Sequence, residues 1–519
     1  MTEFPLFPFF LSAYSILALM ANNITEVQGD AFIRPLLFAL SLCGILLALT
    51  SWLLRDRYRA GLVTAILIVP FYSYGHIYNL LRDNPIFRLN LGRHGILFPI
   101  ALLAMIGGVV LILRLVKNPR LVTASLNGIT LVLCVLPLIQ IGAYKFSLVG
   151  KPSLVKNAEQ KTGSASADLG FQLSIPENQS LPDIYYIIPD MYGRHDALME
   201  DMGYDNSSFL DGLRDLGFVI ADCSRSNYAQ TTLSLTSALN MDYLVSLGIN
   251  DERELPAAFT NNRVRLALES IGYRTIVLES GYRQEEMVAA GIDLLQEHPS
   301  FLSPALTPFE MLYLRTTLLR TLLDVRLPGI SKVVDAITFP FGEHAARQEQ
   351  ILQALEIAPS LSGPKFVYAH IMIPHPPFIF APDGSLVKDA LYYREAWGLP
   401  STDELFQRGY TNQVEFISRE LLIVLKKIIQ DSPTPPIIIL QGDHGIRYEN
   451  RMEILNAYYL PGGKQIYSTI TPVNTFRLLL GQYFDAGLEL LPDRSYYSEF
   501  PERFDLREVP EHNPRCISP

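Results

Sequence analysis

Apolar positions crowd the first third of the chain. They fall in runs at 4–21, 31–54, 60–81, 95–116 and 122–142, each about as long as the ~20 residues that cross a bilayer core. The pattern predicts about five transmembrane helices. Helices buried in a large soluble core would not need so many runs of that length. The first run carries Glu3 and no basic leader, and more spans follow it, so it reads as a retained helix, not a cleaved signal peptide. Residues 145–180 change to a polar Ser, Ala and Gly tether, "KNAEQKTGSASADLG", with no reason to pack. From Leu181 short apolar strands alternate with helical spacing. The strands are "DIYYIIPD" (183–190), "YRTIVLES" (273–280), "KFVYAHIMI" (365–373) and "PIIIL" (436–440). Amphipathic stretches at 207–218, 259–271, 309–324, 343–357 and 403–430 separate them. Such alternation predicts an α/β domain with a mostly parallel central sheet covered on both faces. The expected organisation is 1–144 transmembrane helices, 145–180 linker, 181–485 α/β domain and 486–519 C-terminal tail.

Composition sharpens this. Of 519 residues 49% are hydrophobic and the mean hydropathy is +0.20, high for a purely soluble chain. Basic residues in the short loops set orientation. Arg55, Arg57 and Arg59 follow the second run and Arg114, Lys117 and Arg120 lie at the fourth, against Arg82, Arg88 and Arg93 on the other side. The bias places the N-terminus in the cytoplasm and everything after 142 outside. Arg34, His76 and His94, near span ends, read as interfacial residues, not a transport path. The net charge of −10 argues against nucleic acid and against a polybasic grip on anionic lipid. Cys43 and Cys134 fall inside spans, leaving Cys223 and Cys516 as one candidate pair; this is no disulfide framework.

In parallel sheets ligands bind at the carboxyl ends of strands, and three strands here finish in groups with chemistry. Asp190 closes "YYIIPD", and "IIILQGDHGIR" (437–447) runs into Asp443-His444 between Gly442 and Gly445. Two carboxylates and an imidazole converging there need a counter-charge. A divalent cation supplies it, and mixed oxygen and nitrogen donors suit Zn²⁺ or Mn²⁺. The glycines would let the backbone turn sharply between the two side chains. The blander alternative makes Asp443 a helix cap and His444 a turn residue. In "NYAQTTLSLTSALN" (227–240) Thr231-Thr232 opens a helical pattern. A hydroxyl there is commonly an N-cap, yet it also sits where the helix field favours an alkoxide or an anion, so it is a candidate nucleophile on the cation. His375, in "AHIMIPHPPF" (369–378), is placed to bind an anionic oxygen or protonate a leaving group. His370, inside the strand, reads as a core histidine.

These residues resemble the alkaline phosphatase/sulfatase superfamily, most closely its lipoteichoic acid synthase-like membrane branch, over roughly 181–480. The resemblance implies a metal held by Asp190, Thr231, Asp443 and His444. It favours Thr231 over Thr232 as nucleophile, because Ser234 stands three positions on as in the family, and it implies that His375 contacts the substrate phosphate. "GYTNQVEFISREL" (409–421) resembles the helix before the last metal strand, and "ILNAYYLPGG" (454–463) the strand after it. Departures are informative. "CSRSN" at Cys223 lacks the formylglycine pattern of true sulfatases. "LESGYRQEE" (278–286) lacks the histidine and tryptophan that bind glycerol phosphate in the synthases. The several disulfides of phosphoethanolamine transferases cannot form here, and no full ligand set for a second metal is present. The expectation is one divalent ion, Mn²⁺ or Zn²⁺. The expected activity is phosphoryl transfer from a lipid or envelope-polymer phosphoester through a threonine intermediate, outside the cytoplasm. Sulfate-ester or phosphodiester hydrolysis at the same site, or a non-catalytic envelope-binding role, are the alternatives.

Overall fold

The structure is a computed structural model. It describes residues 4–24, 31–83, 91–150, 169–175, 181–278, 280, 293–294, 306–325, 342–387, 403–446, 450–499, 502–511, 513 and 516. Two compact units form: Met1–Lys151 with Pro299–Glu343, and Pro152–His298 with His344–Pro519.

In the first unit the apolar runs form α1 (Phe7–Asn22), α2 (Ile33–Leu54), α3 (Arg57–Asp83), α4 (His94–Leu115) and α5 (Pro119–Gly150). Four of them, α2 to α5, are long and apolar enough to cross a membrane. The 16-residue α1 rises only about 24 Å, short of the ~30 Å hydrocarbon core, so its expected span is not matched in length. Helix α4 buries one side chain, Leu97, and Trp52 and Leu103 are 79% and 68% exposed. Apolar surface on that scale requires hydrocarbon around it. Helix α1 is pinned from a distance: Asn127 on α5 accepts from the backbone N–H groups of Leu6 and Phe7 at 3.0 and 2.8 Å, satisfying donors that a helix start leaves open. The stretch expected at 309–324 forms Pro308–Thr316 and Arg320–Asp324, which join this unit. Glu310 pairs with Arg34 at 2.8 Å and Asp324 with His94 at 3.0 Å, so two of the residues read as interfacial hold a docked segment.

The second unit is built on a seven-stranded sheet. Its strands are β1 (Ile184–Pro189), β2 (Val219–Ile220), β3 (Arg274–Leu278), β4 (Asp293–Leu294), β5 (Lys365–Ile371), β6 (Ile437–Gln441) and β7 (Asn456–Tyr459), in the order β2-β7-β6-β1-β5-β3-β4. Only the pairings of β7 are antiparallel. Central strands β1, β5 and β6 are buried at every position, as a sheet covered on both faces requires. Strand β1 lies between β5 and β6 with Pro189 opposite Ile371 and Ile187 opposite Leu440. The three strand ends are therefore level, and residues just past them meet. The stretch 486–519 belongs to this unit. Cys516 forms a disulfide with Cys223, and Glu511 lies 3.5 Å from Arg194.

Candidate active site

Asp190 follows the last residue of β1, and its N–H donates to Ile371 O at 2.8 Å. The next residue, Met191, adopts a left-handed φ of 66°, a conformation that costs a non-glycine residue and concentrates at functional sites. It aims the Met191 N–H at Asp443 Oδ1, 2.9 Å away. Two residues beyond β6, Asp443 and His444 turn toward the same point. Neither flanking glycine has a positive φ, so the sharp turn expected of them is not their reason. Space is. A Cβ on Gly442 would stand 2.7 Å from Tyr192 O, and one on Gly445 would strike the carbonyl oxygens of Asn450 and Glu453.

Thr231 opens the helix Thr231–Asn240, whose N-cap is Gln230. Its Oγ1 lies 3.3 Å from His444 Nε2. The same Nε2 is 3.4 Å from Asp443 Oδ2 and 3.7 Å from Asp190 Oδ1. Ser234, one turn into the helix, donates to Asp443 O at 2.7 Å and ties the hydroxyl-bearing helix to the ligand-bearing strand.

These spacings carry chemical meaning. Donors held about 2.0–2.1 Å from a tetrahedral Zn²⁺ lie roughly 3.4 Å from one another. Asp190 Oδ1 and Asp443 Oδ2, the oxygens facing His444, are buried and have no hydrogen-bond partner among the described residues, and buried polar atoms rarely go unpaired. One oxygen or nitrogen from each of Asp190, Asp443 and His444 falls within 4.8 Å of the others. The donor set fits a small divalent cation.

Electrostatics agree. Burial opposes ionisation of Asp190, but His375, His370 and His444 outweigh it and hold this carboxyl below the usual range. Burial and the charge of Asp190 push Asp443 up to about 6. Burial, together with the Arg451 charge, pushes His444 far below its ordinary value, leaving a neutral imidazole of the kind that ligates metals.

His375 sits in a turn with cis bonds at Ile373-Pro374 and Pro376-Pro377. Its ring centroid is 6.5 Å from that of His444, close to the cluster yet outside its donor set. Gln413 steadies the turn, donating to Pro374 O and His375 O at 3.2 Å each; it lies on the helix Glu404–Asp431 that includes the 409–421 stretch. The "LESGYRQEE" stretch lies outside the described residues apart from Leu278 and Ser280.

Three side chains escaped the sequence reading. His370, expected in the core, is indeed buried, but its Nε2 lies 3.2 Å from Asp190 Oδ2. Its position beside β1, one residue before the end of β5, was the available signal. His344 opens the helix Gly342–Ile357. Gln348, one turn on, accepts from Met372 N at 2.8 Å, which turns this helix face toward the end of β5. Burial, reinforced by His375, pushes His344 down to about 4. Arg451 brings Nη2 to 3.2 Å from His444 Nε2.

No family model and no curated protein matches the sequence. Solved structures do, at low identity. The integral membrane lipooligosaccharide phosphoethanolamine transferase A (EptA) from Neisseria meningitidis is similar at 12% identity over 92% of this chain and 94% of its own, with a TM-score of 0.39. The C-terminal periplasmic domain of EcEptC from Escherichia coli, a complex with Zn, is similar at 11% over 65% and 96%, TM-score 0.40. A 2-O GAG sulfatase is similar at 12% over 64% and 76%, TM-score 0.38.

Proposed function

We propose that the chain is a membrane-anchored, metal-dependent phosphotransferase of the alkaline phosphatase/sulfatase superfamily, acting outside the cytoplasm on a lipid or envelope phosphoester through Thr231. The observation that supports this reading is the meeting of ligand atoms from Asp190, Asp443 and His444 within 4.8 Å of one another, with Thr231 Oγ1 3.3 Å from the imidazole. Two of these atoms are buried carboxylate oxygens without a hydrogen-bond partner among the described residues, and the hydroxyl stands at a helix start. A bound Zn²⁺ or Mn²⁺ would balance the acids and ease ionisation of the threonine hydroxyl.

The chain's own groups then have defined work. Asp190, Asp443 and His444 hold the charge balance. Thr231 Oγ1, at the positive end of its helix, attacks phosphorus; an Oγ–P bond forms as the bond to the leaving oxygen breaks. His375 supplies a proton to that oxygen or steadies the phosphoryl oxygens. An acceptor alcohol takes the group from Thr231 in the reverse sense, which regenerates the hydroxyl.

Placement outside rests on the loop charges, with Arg55 to Arg59 and Arg114 to Arg120 on the cytoplasmic side. It does not depend on whether α1 crosses, because α5 leads outward in either case. The Cys223–Cys516 disulfide belongs in an oxidising compartment. Intact-mass and peptide mass spectrometry of protein incubated with phospholipid tests the proposal. A phosphoryl-linked adduct is expected on Thr231, lost in Thr231→Ala. An adduct elsewhere, or turnover that survives in that variant, would refute the nucleophile.

A further inference from the structure

Between β4 and β5 the chain returns to the first unit, over Pro299–Glu343, before it completes the second. It does so with two short helices, Pro308–Thr316 and Arg320–Asp324, broken at 317–319. The two ends of the pair are held by charge. Glu310 meets Arg34 at 2.8 Å and Asp324 meets His94 at 3.0 Å. Arg320 donates to Asp324 Oδ2 at 3.0 Å and to Asn79 Oδ1 at 2.8 Å, and its guanidinium lies 4.2 Å from the Tyr78 ring centroid. The middle is held by backbone. Leu318 N–H donates to Phe71 O at 2.8 Å, and a Cβ on Gly75 would strike Arg315 O, so α3 is approached as closely as a glycine allows. Phe309 and Tyr313 join the apolar cluster of Ala39, Cys43, Ile68 and Tyr72.

These contacts lie at different depths. Arg34 and His94 stand at the starts of α2 and α4, of 22 residues each. Such helices are about 33 Å long, close to the ~30 Å hydrocarbon core. Three successive crossings put both starts on one side of the bilayer, so both mark the same edge. Tyr78 stacks on His94 with ring centroids 4.3 Å apart, which brings that part of α3 to the same level. Phe71 stands seven residues nearer the start of α3, about 10 Å deeper. The segment matches this depth. Seven residues separate Glu310 from Thr317 and seven separate Thr317 from Asp324, each a helical rise of about 10 Å.

The break is built for an environment without water. Thr317 is fully buried. Its N–H donates to Leu314 O at 3.1 Å, that of Leu319 to Thr317 Oγ1 at 3.2 Å, and that of Arg320 to Thr317 O at 3.1 Å. Irregular backbone persists at membrane depth only where its polar groups are satisfied within the protein. The side chains facing outward suit lipid: Leu312, Leu322 and Val325 are exposed, as are Ile77, Ile96 and Phe98 near the same edge of α3 and α4. The exposed Arg315 has the reach to keep its guanidinium at headgroup level.

We propose that Pro308–Asp324 is a re-entrant hairpin, turning at Thr317–Leu319 about 10 Å below the hydrocarbon edge and leaving on the side it entered. Lipid chains cover Leu312, Leu322 and Val325. The inference rests on the membrane reading of α2 to α5 and is independent of the metal and of Thr231. It gives the α/β unit a second membrane tether, besides the chain that follows α5.

Two experiments on the full-length chain in phosphatidylcholine vesicles test it. In the first, photoreactive benzoylphenylalanine replaces Leu312 or Leu322, with Leu103 of α4 and Ile423 of the helix Glu404–Asp431 as references, both exposed. Mass spectrometry should find lipid adducts at 312 and 322 as at 103, and far above 423. Adducts at 312 and 322 no higher than at 423, or crosslinks there to a second copy in place of lipid, would overturn the proposal. In the second, a protease site is inserted within 151–168 and cleaved. The C-terminal fragment should sediment with the vesicles in high salt, and should be lost to the supernatant when 306–325 is replaced by a Gly-Ser stretch of equal length. Release of the fragment that keeps its native 306–325 would overturn the proposal, even if the Gly-Ser variant does not fold. So would retention of a folded Gly-Ser fragment.

Discussion

Gly442→Ala tests the geometry of the cluster with one methyl group. The added Cβ would stand 2.7 Å from Tyr192 O, and restoring the 3.4 Å of ordinary contact takes a displacement of 0.7 Å. The carbonyl cannot simply swing away, because it accepts from Leu455 N at 3.0 Å. The strain must therefore pass along the chain, and the next residue is Asp443. Metal–ligand distances tolerate only about 0.2 Å, so most of that displacement falls outside what a bound ion permits. Overpacking of this kind costs about 1–3 kcal/mol. Loaded with zinc, Gly442→Ala is expected to lose the ion on desalting and to melt lower than wild type. Gly481→Ala is the control: a Cβ there meets nothing within 4 Å. It lies within the helix Pro472–Phe484, where replacing glycine by alanine gains about 0.5–1 kcal/mol. Metal analysis and thermal melting of the three proteins decide the matter. A Gly442→Ala protein that keeps its zinc and its melting temperature would show that the strand end does not position Asp443 as described.

Other perturbations probe separate parts of the molecule. Burial and the charge of Asp190 push Asp443 up to about 6. Below that pH an incoming ion must displace the proton, so zinc affinity should fall by about one decade per pH unit, ~1.4 kcal/mol; titrations in buffers of different ionisation enthalpy that find no proton release near pH 5 would contradict this. Ser234→Ala removes the tie to Asp443 O and should destabilise the domain by about 1–3 kcal/mol, read as a lower melting temperature. Asp196 opposes its burial through Arg194 and Asn513, which together lower its pKa. A carboxyl depressed on folding stabilises above its unfolded pKa and loses that effect as pH falls through the folded one. The melting difference between wild type and Asp196→Asn should therefore shrink from pH 6 to pH 3; a constant difference would rule out the charge as its source. Cys516→Ala opens a link spanning 293 positions and should cost about 2–5 kcal/mol, visible as faster proteolysis of the C-terminal stretch.

The strands were legible because burial on both faces leaves a nearly unbroken apolar signature, as in "IYYIIP" of β1 and "IIIL" of β6. Their ends were legible because acids and imidazoles beside such runs have no packing reason to be there. What escaped detection arises from contacts between distant segments. Nothing local marks Asn127 as the group that satisfies the start of α1, 120 positions away, or Arg451 as a neighbour of Thr231. The segment 309–324 shows amphipathic spacing like the helices that cover the sheet, yet Glu310 and Asp324 pair with Arg34 and His94 of the apolar unit. Periodicity reveals that a helix has a face; it does not reveal what that face covers.

His370 shows the limit most sharply. A histidine inside an apolar strand satisfies the expectation for a core residue, and it is 1% exposed. The same side chain lies 3.2 Å from Asp190 Oδ2, the oxygen on the far side of the carboxylate from His444. Asp190 thus lies between two imidazoles, with His444 beside Oδ1 and His370 beside Oδ2. In the proposed metal site the His370 imidazole would restrain the rotation of the carboxylate and set which oxygen is presented. Groups that support a ligand in this way act on its orientation and basicity. Burial and function are therefore not competing descriptions of His370: because it is buried, its contact with Asp190 is unscreened, and a carboxylate without that neighbour would be freer to turn Oδ1 away from His444.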